Sequence, residues 1–452
     1  MKPTLAELAA LLAAGKTTSR ALTEQALAGI DDPAGEGGRT FTSVHRQTAL
    51  AQAQVSDELR AHGIVPSLLA GIPVSVKDLF DIGGETTRAG SRVLADAPPA
   101  TADADCVVRL RQAGAVIIGR TNMTEFAYSG LGLNPHYGTP KNPHDRATGR
   151  IPGGSSSGAA VSVADGMAAV AIGTDTGGSV RIPAALCGLT GFKPTARRIP
   201  GRGMLPLSTT LDSIGPIARS VACCAIVDRI LSGENDVPVQ ALPLAGLRLG
   251  VVRDYVLNDL DDEVTSAFDD ALRRLAAAGA RVEDCDFPEL NELPAINAGG
   301  GFSAAEAWAW HRDLLARRGA EYDPRVAARI AGGAQMSAAD YIELGQQRAR
   351  MIEAGRRRTE PFDALVMPAV ACVAPAIAAV IDDDDAYHRA NRLILRNPAV
   401  INFIDGCALS IPCQQPGKLP VGLMLADTTL RDGHLLSVGL AVEAALHAEG
   451  EN

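Results

Sequence analysis

The chain has 452 residues, a formal net charge of −10, and 46% hydrophobic but only 4% aromatic residues. That much apolar chain builds a sizeable core without a disulfide or metal staple, and the acidic balance argues against a nucleic-acid backbone or an anionic membrane as main partner. No stretch offers ~18 uncharged apolar residues and the N-terminus lacks a signal-peptide pattern, so a cytoplasmic protein with no membrane contact is expected.

Thr4-Leu-Ala-Glu7 reads as a capping box that opens a short amphipathic helix. Residues 1–65 read as an N-terminal helical segment packed on the core, interrupted at Gly35–Gly38. Ala70–Val76 is a short apolar run rich in β-branched residues, hence a buried strand. Asp103–Ala113 follows as helix and Ala115–Ile118 as strand. Residues 134–160 are rich in Gly, Pro, Asn and Ser, and a loop that long in a folded domain is usually functional. Ala159–Gly166 is then a small-residue helix, Ala168–Ile172 a strand and Gly173–Ser179 a glycine-rich turn.

The second half keeps the same rhythm. Leu247–Val252, Arg281–Glu283, Ala364–Met367, Leu409–Ile411 and Val421–Leu425 are predicted strands. Asp262–Ala278, Ser303–Arg318, Ser337–Arg358 and His434–His447 are predicted helices. Ser232–Pro243 reads as a surface linker, and the four acids Asp382–Asp385 as a solvated loop. The alternation predicts an α/β fold with a largely buried sheet. Residues 66–445 read as a single domain after the N-terminal segment. The eight cysteines are scattered through apolar stretches, with no CxxC and no histidine at metal-ligand spacing, so buried reduced thiols and no metal are expected.

Two glycine-serine blocks stand out, Pro152-Gly-Gly-Ser155-Ser156-Ser157-Gly158 and Gly173-Thr-Asp175-Thr176-Gly177-Gly178-Ser179-Val-Arg181. Consecutive glycines let a chain turn with positive φ and aim backbone N–H groups at one point, where an oxyanion can be held. A serine ending such a turn is well placed as nucleophile, but its hydroxyl needs a base. Of the eight histidines, His136 and His144 lie in the loop before Ser155, and structural or surface roles suit them better. Lys77 ends the apolar run Ile72-Pro-Val-Ser-Val. A lysine buried there loses its proton readily and can serve as a base; equally, it can pair with adjacent Asp78. A rival reading takes Gly154-Ser-Ser156-Ser-Gly158 as the nucleophile elbow of an α/β-hydrolase-like esterase using Ser156. That elbow needs a strand immediately before it, where this chain has a Pro- and Asn-rich loop.

At these residues the chain resembles the amidase signature family. The similarity rests on Pro73-Val-Ser-Val-Lys77-Asp, Gly153-Gly-Ser-Ser-Ser-Gly158, Gly173-Thr-Asp-Thr-Gly-Gly-Ser179-Val-Arg-Ile-Pro183 and Cys187-Gly-Leu-Thr-Gly-Phe-Lys-Pro194, in a region of about residues 70–200. Weaker similarity runs from about residue 1 to residue 445, including Val421-Gly-Leu-Met near the end. The resemblance implies one large mixed, mostly buried β-sheet flanked by helices on both faces, and an amidase without a cofactor. It implies Ser179 as nucleophile, Ser155 as bridging serine after a cis Gly154–Ser155 peptide, and Lys77 as base. It also implies an oxyanion hole from the N–H groups of Thr176, Gly177 and Gly178 with that of Ser179. Asp175 and Arg181 are expected to support the turn.

The resemblance leaves the amide open: a small-amide hydrolase, or the glutamine-hydrolysing A subunit of a tRNA-dependent amidotransferase. Arg329 falls near an arginine that the amidotransferase uses for the glutamine carboxylate, although an exposed helix arginine suits it somewhat better. The amidotransferase's aspartate for the amino group is replaced by Leu395, so a free-standing hydrolase of a small, carboxylated amide is preferred. Tyr128 and one of Trp308 and Trp310, which as i, i+2 neighbours cannot share a helix face, are expected to line the acyl pocket. A homodimer stays open.

Overall fold

The computed structural model describes residues 3–234 and 239–447. Its centre is one eleven-stranded mixed sheet. The strands are β1 (Phe41–Val44), β2 (Pro73–Lys77), β3 (Val116–Thr121), β4 (Val170–Asp175), β5 (Thr190–Lys193), β6 (Ser213–Ala218), β7 (Arg248–Val252), β8 (Arg281–Cys285), β9 (Ala364–Pro368), β10 (Cys407–Pro412) and β11 (Gly422–Asp427). Their order is β1-β3-β2-β4-β6-β5-β10-β11-β9-β7-β8. β2 runs parallel to both β3 and β4, and β7 parallel to both β8 and β9; the other pairs are antiparallel.

Both faces of the sheet are covered, which is why its central strands read as near-continuous apolar runs. Side chains alternate between faces. Val74, Val76, Val170, Ile172, Leu409 and Leu425 join one core with the helices Leu5–Ala13, Asp105–Gln112, Val221–Ser232, Asp262–Ala277 and Asp432–His447. On the other face Met367, Ala408 and Met424 pack with Gly301–Arg318, Ala338–Thr359 and Asp384–Phe403, and Ala171 and Ile217 with Ser157–Asp165. The capping box at Thr4 and Glu7 forms. No helix among the described residues is long and apolar enough to cross a membrane.

The structure departs from the sequence expectations in three places. The N-terminal segment is not all helix, because β1 within it pairs with β3 as an edge strand. β5 and β6 were hidden by Gly191, Gly215 and Pro216, residues that break strand patterns. Gly215 is there because a Cβ would meet the Phe192 carbonyl at 2.1 Å. The acids at 382–385 are solvated as expected, but only the first two stay outside a helix. Asp383 caps the helix Asp384–Phe403, and Asp384 and Asp385 lie in its first turn, where negative charge suits the helix N-terminus. Pro398 inside that helix masked it. The expected linker at 232–243 falls partly on residues 235–238, outside the described residues.

Candidate active site

The site is assembled at the C-terminal ends of the parallel strands β2 and β4, where α/β sheets generally hold their ligands. On β2, alternation puts Val74 and Val76 in the core and Ser75 and Lys77 on the opposite face. Ser75 Oγ lies 2.9 Å from Ser162 Oγ on the Ser157–Asp165 helix. Two residues on, Lys77 therefore meets the turn that precedes the same helix. Its Nζ donates to Ser155 Oγ at 2.7 Å and to Thr174 Oγ1 at 2.8 Å. Adjacent Asp78 points elsewhere and binds Arg120 Nε at 2.8 Å, so the alternative Lys77–Asp78 ion pair does not form.

Lys77 is fully buried. Burial pushes its ammonium down to about 7, against the partial opposition of the Asp212 and Asp175 carboxylates. Near neutral pH a good fraction of Lys77 is therefore an uncharged amine in contact with a serine hydroxyl.

Ser155 follows a cis Gly154–Ser155 peptide. Its turn is pinned by Gly154 N–H to Gly130 O at 2.7 Å and by Thr124 N–H to Ser155 O at 3.1 Å. Ser156 N–H donates to Ser179 O at 3.3 Å, which joins the two serine blocks directly. Gly173 on β4 keeps this approach open, since a Cβ there would lie 2.7 Å from Ser156 Oγ. Ser156 itself is buried with its hydroxyl toward Thr174 O. The last strand before it, β3, ends at Thr121, so no strand runs directly into Ser156 as a nucleophile elbow requires.

The second glycine-rich turn closes around Asp175. Its carboxylate accepts from Gly178 N–H at 2.8 Å, Val180 N–H at 3.2 Å, Arg181 Nη2 at 2.8 Å and Asn402 Nδ2 at 3.0 Å. Burial alone would raise the Asp175 carboxyl, but the Arg181 guanidinium holds it far below the usual carboxylate range. Arg181 and Asp175 are both fully buried and act as a brace for the turn. The N–H of Gly178 thus donates to the Asp175 carboxylate. Thr176, Gly177 and Ser179 line the cavity. Gly178 has φ +123°, and a Cβ would meet Pro398 and Ile182 at 2.6 Å, so glycine is required.

Asp212 drew no attention in the sequence, where Leu-Asp-Ser carries no motif. It accepts from Thr176 Oγ1 at 2.5 Å and from the backbone N–H groups of Leu207 and Ser208. Burial raises its carboxyl to about 6, with those hydrogen bonds acting against the rise.

A cavity of about 530 Å³ opens over Ser179, a volume suited to a small molecule. Ser179 is 3% exposed, whereas Lys77 and Ser155 beneath it are completely covered. Tyr128 and Arg329 both line the cavity. Arg329 is not a free helix arginine: it lies 4.1 Å from the Tyr128 ring centroid and donates to the Tyr128 carbonyl. Neither tryptophan is in the lining. Trp308 packs on the core, and Trp310 is exposed against Phe126 and His311. His136 binds the Glu125 carboxylate at 2.8 Å. All eight cysteines are unpaired.

A model of the amidase family matches residues 36–436. The chain is 35% identical over 402 residues to the 2-amino-5-chloromuconic acid deaminase of Comamonas testosteroni, covering 88% of this chain and 86% of that protein. It is 34% identical over 477 residues to the A subunit of the glutamyl-tRNA(Gln) amidotransferase of Roseiflexus sp. (strain RS-1), covering 97% and 96% of the two chains. A crystal structure of an amidase superposes with a TM-score of 0.89 at 32% identity, covering 98% of this chain and 99% of the other.

Proposed function

The chain belongs to the amidase family, whose members hydrolyse amide C–N bonds, and on that premise we propose that it is a serine amidohydrolase with Ser179 as nucleophile, Ser155 as proton relay and neutral Lys77 as base. The observation that carries this reading is the 2.7 Å contact between the fully buried Lys77 amine and Ser155 Oγ. An ammonium could not accept a proton, but an amine with a pKa of about 7 can.

In the proposed cycle the Ser179 O–H proton passes to Ser155 Oγ as the Ser155 proton passes to Lys77 Nζ. Ser179 Oγ attacks the amide carbon. The oxyanion is stabilised by the backbone N–H groups of Thr176, Gly177 and Ser179, fixed in advance by Asp175, Arg181 and Asp212. The C–N bond breaks as Ser155 protonates the leaving nitrogen and Lys77 restores the Ser155 proton. Water then attacks acyl-Ser179 through the same relay, which releases the carboxylic acid and free Ser179.

The substrate proposed is a small amide that fits the 530 Å³ cavity, cut by the single chain. The second reading is an ammonia-supplying A subunit, favoured by Arg329 in the cavity wall and by the Roseiflexus relative. Against it, no Asp or Glu lines the cavity among the described residues, so the α-ammonium of glutamine would lack a counter-ion, and Leu395 stands in the wall. The test is ammonia release from a panel of amides by the purified chain alone, without tRNA or partners. The acyl adduct is trapped and located by mass spectrometry. A Ser179→Ala protein is expected to lose at least about three orders of magnitude in turnover. Full activity in that variant, or an adduct elsewhere, overturns the assignment.

A further inference from the structure

Residues 207–212, Leu-Ser-Thr-Thr-Leu-Asp, form neither helix nor strand, yet Leu207 and Leu211 both stand in the cavity wall. A loop outside the sheet must find partners for its backbone groups elsewhere. Two carboxylates supply them. Asp212, within the loop, accepts from the Leu207 N–H at 3.0 Å and the Ser208 N–H at 3.1 Å. Glu306, on the helix Gly301–Arg318, accepts from Ser208 Oγ at 2.7 Å, from the Thr210 N–H at 3.1 Å, from Thr209 Oγ1 at 3.4 Å and from Thr210 Oγ1. Ser208 is completely buried and joins the two, its N–H on Asp212 and its hydroxyl on Glu306.

Glu306 reaches further than the loop. It sits one turn along its helix from Phe302 and Ser303, which also line the cavity. Its Oε1 accepts from Tyr341 Oη at 2.6 Å, and the Tyr341 ring meets Phe302 edge-on with centroids 5.5 Å apart. At the other end Asp212 accepts from Thr176 Oγ1 at 2.5 Å, in the turn that ends at Ser179. Tyr341, Glu306, Ser208, Asp212 and Thr176 therefore form an unbroken hydrogen-bonded chain from the cavity rim to the reacting turn. Every link ends on a carboxylate oxygen, and hydrogen bonds to an ionised acceptor are about twice as strong as neutral ones. Burial pushes the Glu306 carboxyl up, but the hydrogen bonds from Thr210, Tyr341 and Ser208 outweigh that and hold it below the usual range.

We infer that Glu306 is a positioning residue for amide cleavage: through Ser208 and Asp212 it holds Thr176, and with Thr176 the backbone N–H groups that face the oxyanion. This rests on the turn from Thr176 to Ser179 as the place where the oxyanion forms. Glu306 touches neither Ser179 nor the cavity lining itself, so its effect is transmitted through the chain of hydrogen bonds alone. A donor misplaced by a fraction of an ångström loses much of its hold on a transition state, whereas a substrate in its ground state makes little use of it.

The test starts from Glu306→Ala in the full chain. kcat for a primary amide is expected to fall roughly tenfold while KM moves less than about threefold. Glu306→Gln keeps an acceptor oxygen and is expected to recover part of the loss. Thr176→Val cuts the chain at its far end but keeps the backbone N–H; in that background Glu306→Ala is expected to cost less than about twofold, because residues that act through one chain are not additive. A second arm needs no turnover. Hydrogen exchange over residues 173–181, read by mass spectrometry, is expected to quicken at least about tenfold in Glu306→Ala. If the native protein hydrolyses no amide, the amidase reading fails while this exchange arm still decides the chain. An unchanged kcat, a loss carried by KM alone, a full tenfold loss that persists in Thr176→Val, or exchange that quickens at 207–212 and not at 173–181 overturns the inference.

Discussion

The pH dependence of acylation follows from where Lys77 sits. If the neutral amine is the base, kcat/KM rises as Lys77 loses its proton, so the profile has an acid limb centred near pH 7. The neutral fraction is about nine-tenths at pH 8, about one-eleventh at pH 6 and about one-hundredth at pH 5. Activity at pH 6 should therefore lie roughly tenfold below the pH 8 plateau, and at pH 5 roughly a hundredfold below it. Asp212 gives the sign of a second perturbation. Burial lowers Lys77, and the Asp212 carboxylate opposes that by favouring the ammonium. Asp212→Asn removes the anion, destabilises the ammonium and moves the acid limb to lower pH. The shift is expected where Asp212 is ionised, above its own pKa of about 6. The assay is kcat/KM for a primary amide from pH 5 to 9, read by ammonia release, with circular dichroism as control for folding. A flat profile between pH 5 and 8, or a limb that moves upward in Asp212→Asn, refutes Lys77 as the base.

Two further outcomes concern stability. Asp175→Asn leaves the Arg181 guanidinium buried without its counter-ion, so a loss of about 3–5 kcal/mol is expected in urea denaturation, and a loss below about 1 kcal/mol would contradict the bracing role. Glu443 is buried against Val221 N–H and Thr190, and burial raises its carboxyl from 4.5 to about 7. Between those values the folded protein keeps a proton that the unfolded chain has lost, so stability falls as pH rises through the window. Glu443→Gln should then stabilise by about 3 kcal/mol at pH 8 and by almost nothing at pH 4, measured as melting temperature against pH; equal effects at both pH values would refute the burial argument.

What the sequence determined by itself was local and chemical. Short apolar runs marked β2, β4, β9 and β11, those of β2 and β4 rich in β-branched residues, because a strand buried on both faces is largely apolar. Consecutive glycines beside Ser155 and Ser179 marked turns that only glycine can make, and the order of those blocks carried the family resemblance. Asp175 and Arg181, six residues apart, were legible as a supporting pair for the same local reason.

Tertiary structure alone decided which groups meet. Lys77 had two possible partners in sequence, and successive residues at the end of β2 point to opposite sides, sending Lys77 to Ser155 and Asp78 to Arg120. The Asp175 carboxylate folds back onto the Gly178 N–H, a contact made only when the turn closes. Asp212 acquired a role only when β6 was laid beside β4. Of the cavity wall only Tyr128, Arg329 and Leu395 were singled out in the sequence; Arg392 and Arg396 lie more than 200 residues beyond Ser179, on a helix with an interior proline. Periodicity and backbone freedom are written in neighbouring residues. Contact between residues far apart in the chain is not, because it exists only after distant segments have packed.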